Sequence, residues 1–142
     1  MITQTLTTSF KVELLQGVHN FGPTSPDTFK IALYDSTATL DASTTAYSST
    51  GEIIGGGYNT GGENLIISVP PTSSGTTAYV SFINAEWSSA NFTAAGALIY
   101  NQTQGGKSVA VLNFGGNKTA TGGSFTVQFP PSGASTAIIR IT

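Results

Sequence analysis

Cysteine is absent from this chain of 142 residues. Disulfide frameworks, thiolate metal sites and cysteine nucleophiles are therefore excluded. Charge is nearly as scarce. Five Lys+Arg and seven Asp+Glu make up 8% of the residues, against roughly a quarter in an ordinary soluble domain. The formal net charge of −2 argues against electrostatic partners such as nucleic acid or an anionic membrane. His19 is the single histidine, so without cysteine the usual zinc ligand sets are unavailable. No run approaches the ~18 apolar residues of a spanning helix. The segment Met1–Phe10 has neither a basic start nor an apolar core, so it does not read as a signal peptide.

Hydroxyl groups and glycine stand where charge is missing: the chain carries 22 Thr, 16 Ser and 17 Gly. Hydrophobic residues make up 39%, too many for a disordered chain, and the length suits one domain, residues 1–142, with a real core. Asn-x-Thr triplets at Asn91, Asn101 and Asn117 read as chance in a Thr-rich chain.

The apolar pattern predicts one helix and many strands. Leu6, Phe10, Leu14 and Val18 recur every four residues with Leu15 beside them, which predicts a helix over about 6–18. Thr7, Thr8 or Ser9 is placed to cap its start, and Gly17 to end it in a left-handed conformation. Residues Met1 to Thr8 form a candidate arm, uncharged and able to lie on a neighbour. Further on, Phe29, Ile31 and Leu33 alternate with Lys30 and Ala32, predicting a strand over 28–34 with one buried face. Residues 35–46 read as a hydroxyl-rich connection. Residues 52–58 read as a weak strand broken by Gly55-Gly56-Gly57, and 64–69 as a short strand stopped by Pro70-Pro71. Strands follow over 76–83, 97–100 and 109–114, the last two joined by a hairpin loop over 101–106. Phe125, Val127 and Phe129 alternate before Pro130-Pro131, and residues 137–141 form a final strand. Closely spaced strands with turn residues between them predict a mostly β fold: an antiparallel β-sandwich or barrel-like domain with one N-terminal α-helix. The expected core comprises Leu14, Phe29, Ile31, Leu33, Val80, Phe82, Val111, Phe125, Val127 and Ile139.

No catalytic motif emerges. The segment Gly55-Gly56-Gly57-Tyr58-Asn59-Thr60-Gly61-Gly62 has the glycines of a phosphate loop, but neither a Lys-Ser/Thr pair nor a helical pattern follows, so it reads as a tight β connection. His19 lacks a nucleophile elbow to serve, although Asp27, Asp35 and Asp41 lie nearby. At a helix end it is expected to bond the last carbonyls. Glu13, Glu52, Glu63 and Glu86 complete the carboxylates. None sits in a recognisable acid/base or calcium-loop context, and all read as solvated loop and strand-end charges. Trp87 with Tyr34, Tyr47, Tyr58, Tyr79 and Tyr100 suits either core packing, the favoured reading, or a sugar-stacking platform. Lys107 and Lys118 are too isolated to interleave with aromatics on a nucleic acid. No catalytic, cofactor or metal site is expected.

The collective signal is at the strand edges. Monomeric β proteins protect edges with Lys, Pro or inward charges. The strand over 28–34 has one Lys, and residues 108–114 have no charge at all. Thr, Ser and Gly surfaces also cost less to bury than Lys and Glu surfaces. A permanent assembly component fits this better than a freely diffusing enzyme.

Several blocks resemble a family of small virion proteins of tailed bacteriophages. They are Ser9-Phe10-Lys11 with Glu13-Leu14-Leu15-Gln16-Gly17-Val18-His19-Asn20-Phe21, then Asp27-Thr28-Phe29-Lys30-Ile31-Ala32-Leu33-Tyr34, and Gly57-Tyr58-Asn59-Thr60-Gly61-Gly62. The order continues with Trp87-Ser88-Ser89-Ala90-Asn91-Phe92-Thr93-Ala94-Ala95-Gly96-Ala97 and Ala110-Val111-Leu112-Asn113-Phe114-Gly115-Gly116. The likeness runs nearly end to end and rests on packing and turn residues. It implies a non-enzymatic structural component of the virion, assembled in the host bacterial cytoplasm. The preferred expectation is a capsid decoration or cement protein that bridges coat subunits. The alternatives are a tail, baseplate or fibre-associated module, and a carbohydrate-binding, lectin-like module using Trp87. The implied partners are the major capsid protein or tail proteins, with further copies of the chain; no nucleic acid, membrane or cofactor is implied.

Overall fold

The computed structural model describes all 142 residues. The chain runs β1 (Thr5–Leu6), α1 (Thr8–Leu15), β2 (Phe29–Tyr34), β3 (Glu63–Leu65), β4 (Ile67–Ser74), β5 (Thr77–Phe82), β6 (Ala85–Asn101), β7 (Lys107–Val127) and β8 (Ile139–Ile141). Two antiparallel sheets result, a five-stranded one in the order β1-β7-β6-β2-β3 and a three-stranded one in the order β4-β5-β8. The mostly β, sandwich-like architecture with a single N-terminal helix is as the alternation predicts.

The helix is shorter than its apolar spacing suggests. Leu6 belongs to β1, paired with Ala110. Thr7 caps the helix by accepting from the Phe10 N–H. At the other end Val18 N–H donates to Glu13 O at 3.0 Å and Gly17 N–H to Leu14 O at 3.2 Å. This is the paired closure of a Schellman motif, and it requires the left-handed φ of +73° at Gly17. The apolar stripe is only partly used. Phe10 is buried, Leu14 is half-buried at the edge of the core, and Leu15 is 92% exposed. Residues 1–8 do not project as an arm: Ile2 is buried on its own chain, Thr3 N–H donates to Leu40 O, and β1 pairs with β7.

β2 differs from the one-faced strand expected. Phe29, Ile31 and Leu33 enter the main core, which they share with Val80, Phe82, Phe125, Val127 and Ile139. Ala32 and Tyr34 enter a second cluster with Ile2, Leu40, Leu98 and Val111. The N-terminal residues and the connection after β2 therefore cover the far face of the sheet, and β2 is central and buried on both sides. Packed rings close the main core: Phe21 stacks on Phe29 at 4.3 Å, and Trp87 meets Phe125 edge-on at 6.2 Å.

The largest departure is a hairpin. The strands expected at 97–100 and 109–114 are one end of β6 and β7, and the alternation at Phe125 and Val127 belongs to the same β7. Pairing runs from Asn101↔Lys107 to Ala85↔Val127. Glycine-rich bulges interrupt it: Ala94 pairs Lys118 and Gly96 pairs Asn113, leaving Phe114–Asn117 opposite one residue. Two smaller corrections share a cause. Residues 52–58 form isolated bridges, not a strand, because the glycines there take positive φ. β4 runs through Pro70-Pro71 because it is an edge strand whose register shifts at that point.

Gly62 shows how tightly the turns fit. It has φ +78°, and a Cβ there would lie 1.8 Å from Ile31 O. Gly62→Ala is expected to cost about 3 kcal/mol in urea unfolding, from strain plus a backbone clash. Gly105→Ala, at φ +75° but in open space, should cost about 1 kcal/mol from conformation alone.

Candidate functional site

Two buried polar clusters gather most of the residues singled out by type. The first centres on Glu52, which follows the Ser48–Gly51 turn and is 5% exposed. Its Oε1 accepts from Tyr58 O–H at 2.6 Å and from Gly61 N–H at 2.7 Å, and its Oε2 accepts from Tyr47 O–H at 2.6 Å. Tyr58 Oη also accepts from Leu33 N–H at 3.0 Å, and Tyr100 O–H donates to Gly61 O at 2.7 Å. Tyr34 O–H donates to Ser48 O at 2.7 Å. Glu52 is thus no solvated charge. Three donors meet a buried carboxylate, and phenols take the part that cations play elsewhere.

Burial, with Glu52 nearby, pushes the Tyr34, Tyr47 and Tyr58 phenols well above the usual tyrosine value. Burial followed by the Glu52 charge pushes Tyr100 up to about 12. The cluster joins β2, the 48–62 connection and β6.

The second cluster centres on His19, which is 7% exposed. Its Nε2 lies 3.0 Å from Glu13 Oε1, and its Nδ1 accepts from Asn101 Nδ2 at 3.0 Å. Asn101 Nδ2 also donates to Asp27 Oδ2 at 2.8 Å, and Asn101 Oδ1 accepts from Gln104 N–H at 3.2 Å. With Asn101 Nδ2 donating to Nδ1, Nε2 is the ring nitrogen that faces the Glu13 carboxylate. Lys107 Nζ lies 3.5 Å from Glu13 Oε2. His19 therefore bonds side chains and not the helix-end carbonyls expected for it. The cluster pins α1 and the loop before β2 to the β6–β7 turn.

The other residues fall into structural positions. Asp35 and Asp41 accept from Thr37 and Ser43 two residues on, closing exposed turns. Hydrogen bonds from Ser43 hold the Asp41 carboxyl below its ordinary range. Glu63 begins β3, and Glu86 is exposed on β6. No group of three or more His, Cys, Asp or Glu side chains is placed to hold a metal ion. The Gly55–Gly62 segment is a turn laid on β6: Asn91 N–H donates to Gly56 O at 2.8 Å, and a Cβ on Gly56 would lie 2.1 Å from Asn91 O. Trp87 is 2% exposed, between Tyr58 and Phe125, with its indole N–H unpartnered. It presents no face to a sugar, and Tyr58 is buried with it, so the platform read from these residue types does not form.

What faces outward includes apolar surface and two grooves. Leu15 and Ile54 are 92% and 91% exposed; Val12, Ile66, Ile83 and Ile141 are at least half exposed. A small apolar groove lies between α1 and the three-stranded sheet, lined by Leu14, Tyr79 and Ile141 among others. A larger groove of about 530 Å³ runs beside β7, between Phe114, Ala120, Phe125 and Phe129.

Asn101 and Glu52 are the residues that sequence reasoning undervalued. Asn101 looked like a hairpin-loop residue, and Glu52 like a surface charge. The available signal was Glu52's setting, Gly-Glu-Ile-Ile, with apolar neighbours in a chain of few charges.

Asn101→Ala should cost about 3 kcal/mol in urea unfolding, because it strands His19 Nδ1, Asp27 and Gln104 N–H in a largely buried site. The phenols give a pH dependence of known sign. Their neutral forms are favoured in the folded state, so this stability is complete below the ordinary tyrosine value near 10 and falls as pH rises through about 12, where folded Tyr100 ionises. Chemical unfolding between pH 9 and 12, read with phenolate absorbance, checks it, and Tyr100→Phe should flatten the decline. Comparison of the chain with protein-family models, with curated proteins and with solved structures finds no match.

Proposed function

We propose that this chain is a non-enzymatic structural component of a tailed-bacteriophage virion, acting as a capsid decoration or cement protein that bridges coat subunits. The observation that carries the reading is the surface. Large apolar side chains stand in water on a domain with only five basic and seven acidic residues. Ile66 and Ile83 sit together, joined by the bond from Ile83 N–H to Ile66 O at 2.8 Å. Val12 and Leu15 ride on the helix that forms one wall of the smaller apolar groove.

The physical logic is low-cost burial. Apolar area removed from water contributes about 25 cal/mol per Å², and Thr, Ser and Gly around it give up little hydration or side-chain entropy. Contacts that are weak singly become strong when symmetry repeats them over a particle. The buried polar clusters fit this role as internal ties between distant parts of the chain.

Electron cryomicroscopy of intact particles tests the reading, with binding of the purified protein to empty heads as a second measurement. Symmetric density on the outer capsid is expected. Density on the tail alone would move the chain to the tail, baseplate or fibre, and absence from the particle would overturn the proposal. Leu15→Asp should weaken binding to heads at least tenfold, since the exposed leucine contributes to contact and not to folding; unchanged binding would remove α1 from the interface.

A further inference from the structure

β7 is an edge strand over most of its length, and its outer edge is covered only at the start. Tyr47 N–H donates to Gly106 O, Ser108 N–H to Thr45 O and Thr7 N–H to Val109 O, and β1 pairs with Ala110 and Val111. At Asn113 the cover ends in side-chain bonds to Gln4 and Ile2. Beyond the Phe114–Asn117 bulge, every strand pairing of Lys118–Val127 is with β6. This stretch contains no proline and one charge, Lys118. Its residues line the larger groove, so an open edge and a concavity lie side by side.

An uncovered edge offers backbone N–H and C=O groups, and the partner that satisfies them is another extended strand. We propose that the Lys118–Val127 edge of β7 pairs with the same edge of a second copy, antiparallel about a twofold axis between Gly122 and Gly123. The sequence is self-complementary in that register. Ala120 falls opposite Phe125, a small side chain against a large one on the face that lines the groove. Thr119 falls opposite Thr126, hydroxyl against hydroxyl, and Thr121 opposite Ser124. Lys118 falls opposite Val127, so the two lysines stand about 30 Å apart at a rise of roughly 3.4 Å per residue, several Debye lengths in physiological salt. A register centred on Lys118 would bring the lysines together, and one centred on Phe125 would set that ring against its own copy. The arrangement extends what the chain already does, since β1 adds to the same edge one bulge away. The Gly122 bulge sits beside the axis; there its N–H turns inward to Asn91 Oδ1 at 2.9 Å, which leaves the pairing to the segments on either side.

This inference concerns the isolated chain and goes beyond the virion reading; neither depends on the other. The test is the oligomeric state of the full chain by sedimentation across a wide concentration range. A dimer is expected. Thr121→Lys with Thr126→Lys, both at exposed positions, adds like charge near the axis and should raise the dimer dissociation constant at least tenfold, with the circular dichroism spectrum unchanged. Because the chain has no cysteine, a mixture of Thr121→Cys and Ser124→Cys chains reports directly: the two positions fall opposite each other in this register, so oxidation should cross-link one variant to the other, whereas Ser36→Cys, on an exposed turn, should not cross-link. A chain that stays monomeric at all concentrations overturns the proposal. So does a dimer that survives both lysines and in which mixed Thr121→Cys and Ser124→Cys chains fail to cross-link. Neither result bears on whether the protein occupies a capsid.

Discussion

The antiparallel pairing of β6 with β7 is the interaction on which the rest of the structure depends. At one end the hairpin supplies two central strands of the larger sheet, with β2 on one side and β1 on the other. At the other end Trp87, Phe92, Phe125 and Val127 enter the core shared with the small sheet. Each polar cluster touches it: Asn101 at its turn anchors His19, and Tyr100 joins the group around Glu52. The bulges let two long strands bend between these tasks, which a regular ladder of the same length could not do without losing one core face.

The interior shows how a β domain can dispense with charge pairs. Glu52 is buried with three neutral donors and no cation among its hydrogen-bond partners. His19 is held between a carboxylate and an amide. Thr7 and Ser108 bond each other at 2.9 Å in a dry position. Hydroxyls, phenols and amides do inside the molecule what lysines and arginines do in a more ordinary composition. Those basic groups are then missing outside too, where they would otherwise keep edges and apolar patches apart from neighbours. One compositional choice underlies both the internal ties and the sparsely charged surface.

Much of the fold was legible because β alternation and turn residues are local signals. Phe29, Ile31 and Leu33, the Asn101–Gly106 loop and the Gly17 helix stop were placed by spacing and residue type alone. The failures were non-local. Nothing in residues 113–124 alternates strongly, so the continuity of β7 was invisible; β6 supplies it by pairing across the bulges. The second buried face of β2 was hidden because Ile2 and Leu40, which cover it, lie far away in sequence. Asn101 carried a surface-like identity into a buried site because the groups it bonds, His19 and Asp27, lie far away in sequence, whereas the donors to Glu52, on Tyr47, Tyr58 and Gly61, are near in sequence and converge only when that connection folds back on itself.

By itself the sequence determined the β class, the one short helix, the absence of thiol chemistry and the poverty of charge. Each of these follows from composition or from periods of two and four residues along the chain. Only the tertiary structure decided which edge stays open, which tyrosines surround a carboxylate, and that Trp87 is enclosed. Those outcomes depend on which distant strands meet. Pairing energy is settled between segments and leaves little trace in either one read alone.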